Sequence, residues 1–266
     1  MTVSVPDAHA VVTTLPRKRF VGPSPVYDPS MLTFERYDTL PRLRDADVLA
    51  AFMRGVYGWM CGGLAVTAVT AWVVSGSPLI TAAIFGNRMV FWALAIAQLG
   101  IVFTLSARVD RLASGTATLL FLLYSALTGV TLSAILLVYT GESVFTTFAV
   151  AAGMFGALAA YGTVTQRQLS GLGQFLFMGL VGLIIASVVG LFWHNDALQF
   201  VISFIGVIVF AGLTVYDAQR LKELAFATSA GPTSGTTIVG ALALYLDFIN
   251  LFLFLLRFLG NRRDDY

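Results

Sequence analysis

From residue 52 onward the chain alternates between apolar runs of near-bilayer length and short polar breaks. A helix crossing a hydrocarbon core needs about twenty predominantly apolar residues. The pattern predicts seven such helices: Phe52 to Ser75, Arg88 to Ser106, Thr116 to Tyr139, Val144 to Thr165, Gly173 to Trp193, Ala197 to Leu221, and Ile238 to Leu259. No proline interrupts any of them, so each backbone can satisfy its own hydrogen bonds where there is no water to do so. The connections are short except Lys222 to Thr237, whose Ser229-Ala230-Gly231-Pro232-Thr233-Ser234-Gly235 stretch reads as a flexible turn. The expected class is all-α: a polytopic membrane protein whose seven-helix transmembrane domain occupies residues 51–266.

Composition agrees with the pattern. Hydrophobic residues make up 58% of the 266 and charged residues 11%, against about 25% charged in a soluble domain. A soluble or disordered class is excluded for most of the chain, and a net charge of +2 points to no nucleic acid. Residues 1–50 are different material. They hold six of the eight prolines and Arg17, Lys18, Arg19, Arg36, Arg42 and Arg44, which reads as a flexible basic tail kept in the cytoplasm. They contain no apolar run of signal-peptide length, so no cleavable leader is expected.

With the N-terminus cytoplasmic, twelve of the sixteen Lys and Arg fall on the inner side, as the positive-inside rule asks. Arg257, Arg262 and Arg263 dissent. Either they are exported beyond a seventh span or the last segment is re-entrant; the length of Ile238 to Leu256 favours the seventh span. Cys61, the single cysteine, can form no intrachain disulfide, and its ordinary reading is a small buried hydrophobe. Small residues recur one turn apart at Gly58 and Gly62, at Ala152, Gly156 and Ala160, and at Gly182, Ala186 and Gly190. Such spacing lets helices approach closely in lipid, either between copies or, the simpler reading, within one bundle.

Several ordered stretches carry a family resemblance. They are Val56-Tyr57-Gly58-Trp59-Met60, Thr118 to Gly129, Val138-Tyr139-Thr140-Gly141-Glu142-Ser143, Gly212-Leu213-Thr214-Val215-Tyr216-Asp217-Ala218-Gln219-Arg220-Leu221-Lys222, and Tyr245-Leu246-Asp247-Phe248-Ile249-Asn250-Leu251-Phe252. By these the chain, from about residue 50 to its end, resembles the Bax inhibitor-1 family in its bacterial, YccA-like branch of inner-membrane proteins. The resemblance implies seven helices with the last near the centre. It also implies a pH-sensitive calcium leak controlled by two paired aspartates, mapping onto Asp217 and Asp247, and by an arginine near the third helix, either Arg108 or Arg111. It further implies a different role to weigh: a non-conducting interaction protein that modulates a membrane protease such as FtsH or a stress response.

The residues point to the same pair by themselves. Of fourteen Asp and Glu, only Asp217 and Asp247 fall inside predicted spans, where a carboxylate is costly and marks a functional site by default. The sixth and seventh spans are consecutive and antiparallel. Counted from their cytoplasmic ends, however, the two aspartates sit about 7 Å apart in depth at 1.5 Å per residue. Two carboxylates meeting in a dry site cannot both ionise cheaply, so they would share a proton and titrate as one unit. The pair then forms a latch between the sixth and seventh helices that serves as gate and pH sensor.

Calcium is expected only as a permeant ion, with no cofactor. Asp217, Asp247, Thr214 and Asn250 fall short of the six to eight oxygens of a tight calcium site, and weak, transient binding suits permeation. Glu142 could gather cations at the outer mouth, although a solvated loop acid is the simpler reading. Arg220, Lys222 and Arg257 read as snorkelling residues, and His194 as an interfacial one, the other histidine being His9 in the tail. An intramembrane aspartyl protease is disfavoured, because Leu244-Tyr245-Leu246-Asp247 stands where such enzymes carry Gly-x-Gly-Asp. No other catalytic constellation appears, so no enzyme is expected.

Overall fold

The computed structural model describes residues 29–107, 113–193, 195–227 and 233–263. Among them run eight helices: α1 (Pro29–Ser75), α2 (Pro78–Phe85), α3 (Arg88–Ala107), α4 (Ser114–Val138), α5 (Gly141–Val164), α6 (Ser170–Phe192), α7 (Asp196–Ala227) and α8 (Ser234–Leu259). The chain divides into two compact units, Met1–Leu43 and Arg44–Tyr266. The described backbone of the first is helical from Pro29. The second holds seven helical stretches long and apolar enough to cross a membrane: Ala46–Ser75 of α1, then α3, α4, α5, α6, α7 and α8. The all-α, seven-span architecture expected from the hydropathy pattern is therefore present.

Polar residues at the breaks start the helices. The Asn195 side chain accepts from the backbone N–H groups of Ala197 at 2.9 Å and Leu198 at 3.3 Å, ahead of α7. Thr140 does the same for Ser143 at 3.3 Å, ahead of α5. Thr233 does so for Thr236 at 3.2 Å, ahead of α8. Each supplies an acceptor to N–H groups that the first helical turn leaves orphaned.

Two segments differ from the expected breaks. The connection after the first span contains α2, an eight-residue helix opened by Pro78, whose missing N–H costs nothing at that position. It is apolar but far too short to cross. The sixth span does not stop at Leu221 either, because α7 continues to Ala227. Ten residues of the expected loop are helical, six at the end of α7 and four at the start of α8. Residues 228–232 of that turn lie outside the described residues.

The last helix is central. Of its most apolar stretch 67% is buried, against at most 39% in any other span. Helices α4, α5 and α7 pack directly on it, while α6 packs on α7 and α3 on α4. Its far end is pinned: Asn261 O accepts from Thr140 N at 3.2 Å, Asn261 N donates to Ser143 Oγ at 2.9 Å, and Arg263 Nε donates to Tyr139 O at 3.2 Å. The end of α8 therefore lies with the α4–α5 turn, opposite the α7–α8 connection. The last segment crosses and is not re-entrant.

Close packing falls on glycines other than those the spacing suggested. A side chain at Gly129 of α4 would run into the α1 backbone at Thr67 and Ala71, and one at Gly162 of α5 would run into the Val215 carbonyl of α7. By contrast Gly58, Gly62, Ala152, Gly156, Ala160 and Gly182 are exposed, and of these small-residue series only Ala186 and Gly190 are turned away from the surface. Cys61 is exposed as well, which corrects its reading as a buried hydrophobe. In lipid the outward face of a helix is as apolar as its inward face, so hydrophobicity could not show which small residues face in.

Candidate functional site

Asp217 on α7 and Asp247 on α8 are brought together. Asp247 is only 5% exposed, and its Oδ2 has no hydrogen-bond partner among the described residues. The charged neighbour that acts on it is Asp217, across the α7–α8 contact. Asp217 is half-buried and also interacts electrostatically with Arg220, three residues further along α7. The extension of α7 explains how they meet. Asp217 lies ten residues before Ala227 and Asp247 thirteen after Ser234, which cuts the expected offset in depth to about 4.5 Å at 1.5 Å per residue.

The other sequence-derived candidates divide. Thr214 and Asn250 lie one turn from the aspartates, but each turns its donor to its own helix. The Thr214 hydroxyl donates to Phe210 O at 2.8 Å, and the Asn250 amide donates to Leu246 O at 2.8 Å. The threonine oxygen and the asparagine carbonyl keep lone pairs that could still accept or coordinate. Glu142 is not with the pair. It is exposed in the first turn of α5, at the opposite end of the bundle, where a negative charge complements the helix N-terminus. Arg108 and Arg111 lie outside the described residues, as does His194.

Aromatic and small residues wall the pair. Phe248, the residue after Asp247, meets Phe148 and Phe155 of α5 edge-on, with ring centroids 5.4 and 5.5 Å apart. Gly162 lets α5 lie against α7 at Val215 and Ala218, on either side of Asp217. Toward the end of α7 the surroundings become polar. A cavity of about 220 Å³ is lined by Gln168, Ser170, Tyr216, Gln219, Arg220 and Glu223, so it adjoins the residues on both sides of Asp217. The buried Gln219 amide holds the α5–α6 turn there: Nε2 donates to Arg167 O at 2.7 Å and Oε1 accepts from Leu169 N at 3.1 Å.

Sequence reasoning missed Gln219 and assigned Arg220 to snorkelling. Its position one turn after Asp217 was the available signal. A second feature left no signal at all, a hydrogen-bonded cluster on the other side of α8. The Tyr245 hydroxyl and Thr67 Oγ1 are 2.7 Å apart, and Thr67 Oγ1 is 2.9 Å from both Gly63 O and Ser125 O. A single hydroxyl proton serves one acceptor at a time; Thr67 has three acceptors within reach, and either hydroxyl of the Tyr245–Thr67 contact can be its donor. Phe121 and Tyr124 both meet the Tyr245 ring edge-on at 5.8 Å. Its members come from α1, α4 and α8, and nothing in their spacing joins them.

Comparison with known proteins places this geometry in context. The family model described as inhibitor of apoptosis-promoting Bax1 matches residues 49–264. The inner membrane protein YbhL of Escherichia coli is 49% identical over 233 residues, covering 86% of this chain and 99% of YbhL. An uncharacterized protein of Borreliella burgdorferi is 46% identical over 216 residues, covering 80% of this chain and 93% of that one. One of Deinococcus radiodurans is 44% identical over 219 residues, covering 82% and 93%.

Proposed function

Because the chain belongs to the Bax inhibitor-1 family, we propose that it is a pH-sensitive calcium leak of the bacterial inner membrane, gated by the Asp217–Asp247 pair between α7 and α8. The observation that carries this reading is the Asp247 carboxyl, buried with an unpartnered oxygen beside a second carboxyl. A packing group is satisfied by its surroundings; a group left open in the interior is held for something that comes and goes. Protons and a weakly held cation are the two species its chemistry suits.

With one proton between them, one carboxyl donates to the other and the pair clips α7 to α8. Losing that proton puts two charges together: at about 4 Å in a medium of effective dielectric about 20 they repel by about 4 kcal/mol. That is enough to bias a helix contact open. Arg220, already acting on Asp217, is positioned to take one carboxylate and stabilise the parted state. The polar cavity beside Tyr216 and Gln219 is the mouth on that side. With the N-terminus cytoplasmic, this mouth faces the cytoplasm. Calcium passes with the carboxylates, Thr214 and the Asn250 carbonyl as transient oxygen ligands, too few for a resident site.

Calcium flux into dye-loaded proteoliposomes over a pH series tests this. The unaltered protein is expected to give a pH-dependent flux above empty vesicles, and Asp217→Asn and Asp247→Asn each to flatten its dependence on pH. No flux at any pH from folded protein would replace the leak with the interaction reading, in which the chain modulates a membrane protease such as FtsH and the aspartates only pack.

A further inference from the structure

A cavity lies at the other end of α7 and α8, away from the aspartates. It measures about 550 Å³, within the range of about 300–1,000 Å³ typical of small-ligand sites. Its wall is of mixed charge. Asp196, in the first turn of α7, and Arg257, in the last turn of α8, both line it, and Arg262 also belongs to the wall. Gln199 and the buried Tyr139 supply further polar atoms. The floor is fixed, because the Ser203 hydroxyl, 3% exposed, donates to Gln199 O at 2.8 Å.

Two features tell what enters. The first is depth: the cavity sits where two spans end, at the level of the lipid headgroups. Its rim carries Phe200 and Phe258, ring centroids 5.2 Å apart, 57% and 44% exposed. These exposed rings give the charged cavity an apolar rim at the span ends. The second is charge. Arginine offers a planar fork of donors that matches phosphate oxygens, whereas the carboxylate of Asp196 repels phosphate and attracts a cation. A ligand that satisfies both carries a phosphate and an ammonium a few bonds apart.

We infer that this cavity binds a phosphoethanolamine group, that of a phosphatidylethanolamine lipid, with the phosphate toward Arg257 and the ammonium toward Asp196. The site is independent of the leak. Neither aspartate of the pair lines it, so either reading can fail alone.

Native mass spectrometry of the full chain released from micelles tests it, using phosphatidylethanolamine, phosphatidylglycerol and soluble O-phosphoethanolamine as probes. The unaltered protein is expected to retain phosphatidylethanolamine in preference to phosphatidylglycerol. Arg257→Gln, an exposed position whose change should leave folding intact, is expected to weaken retention of both lipids about fivefold or more, the scale of one basic residue at a lipid surface. Arg257→Lys is expected to restore part of it, and Asp196→Asn to abolish the preference between the lipids. Equal retention of both lipids by the unaltered protein, or adducts indifferent to Arg257→Gln and Asp196→Asn, would overturn the site. Binding of the soluble ester without the lipid would overturn the bilayer as its source.

Discussion

Tyr245 and Asp247 stand two residues apart on the same central helix and turn to different neighbours. Tyr245 faces α1 and α4. It is fully enclosed, its hydroxyl is hydrogen-bonded to Thr67, and two aromatic rings meet its edges. Asp247 faces α7. It is almost as deeply enclosed, yet one carboxyl oxygen has no partner among the described residues, and its charged neighbour is another acid. Burial alone does not separate them; satisfaction does. Tyr245 spends its hydroxyl on holding helices together, and Asp247 keeps a carboxyl oxygen available.

The largest effect should come from the satisfied side. Tyr245→Ala removes an enclosed ring and leaves a void that the α1 and α4 backbones cannot fill. It is expected to lower stability by about 3–5 kcal/mol, read as the thermal unfolding midpoint in detergent. Tyr245→Phe keeps the ring and removes only the hydroxyl. Thr67 still has Gly63 O or Ser125 O to donate to, so the cost should be about 1 kcal/mol, with the pH profile of flux unchanged in shape. A Tyr245→Phe profile as flat as that of Asp247→Asn would break the comparison, because the phenol would then belong to the gate.

An intermediate effect should come from the wall between them. Gly162→Ala places a methyl group against the Val215 carbonyl and the Ala218 side chain, and overpacking there is expected to cost about 1–3 kcal/mol. Gly156→Ala, six residues earlier on the outward face with nothing near it, should shift stability by no more than about 0.5 kcal/mol. Equal effects in unfolding experiments would mean that α5 does not seat on α7 through Gly162.

How much of this could be read in the chain follows from the solvent. Lipid enforces a one-dimensional signal, so the spans and the two intramembrane aspartates were visible as length and as charge out of place. Which residues face inward was not visible, because apolar lipid removes the polar–apolar contrast that marks a helix face in water. The outward Gly58, Gly156 and Cys61 and the inward Gly129 and Gly162 carry the same hydropathy signal. The end of α7 was misplaced because Lys222 and Glu223 read as a loop, although both are good helix formers. The Thr67–Ser125–Tyr245 cluster stayed hidden because hydroxyl side chains are common in spans, and only their meeting in space makes a network.

The smallest effect on stability should come from the residue with the largest effect on response. Asn fills the volume of Asp247 without its charge, and its amide can donate to the Asp217 carboxylate across the same contact. The group it replaces has an oxygen that the described fold does not satisfy, and the amide keeps a donor across the pair, so little favourable interaction is lost. Replacing an uncompensated buried acid by a neutral group of the same shape is commonly neutral or stabilising. Asp247→Asn is therefore expected to change the unfolding free energy by less than about 1 kcal/mol while flattening the pH dependence of flux. A loss on the scale of Tyr245→Ala would place Asp247 among the groups that hold α8 in position, and the two sides of the helix would no longer differ in kind.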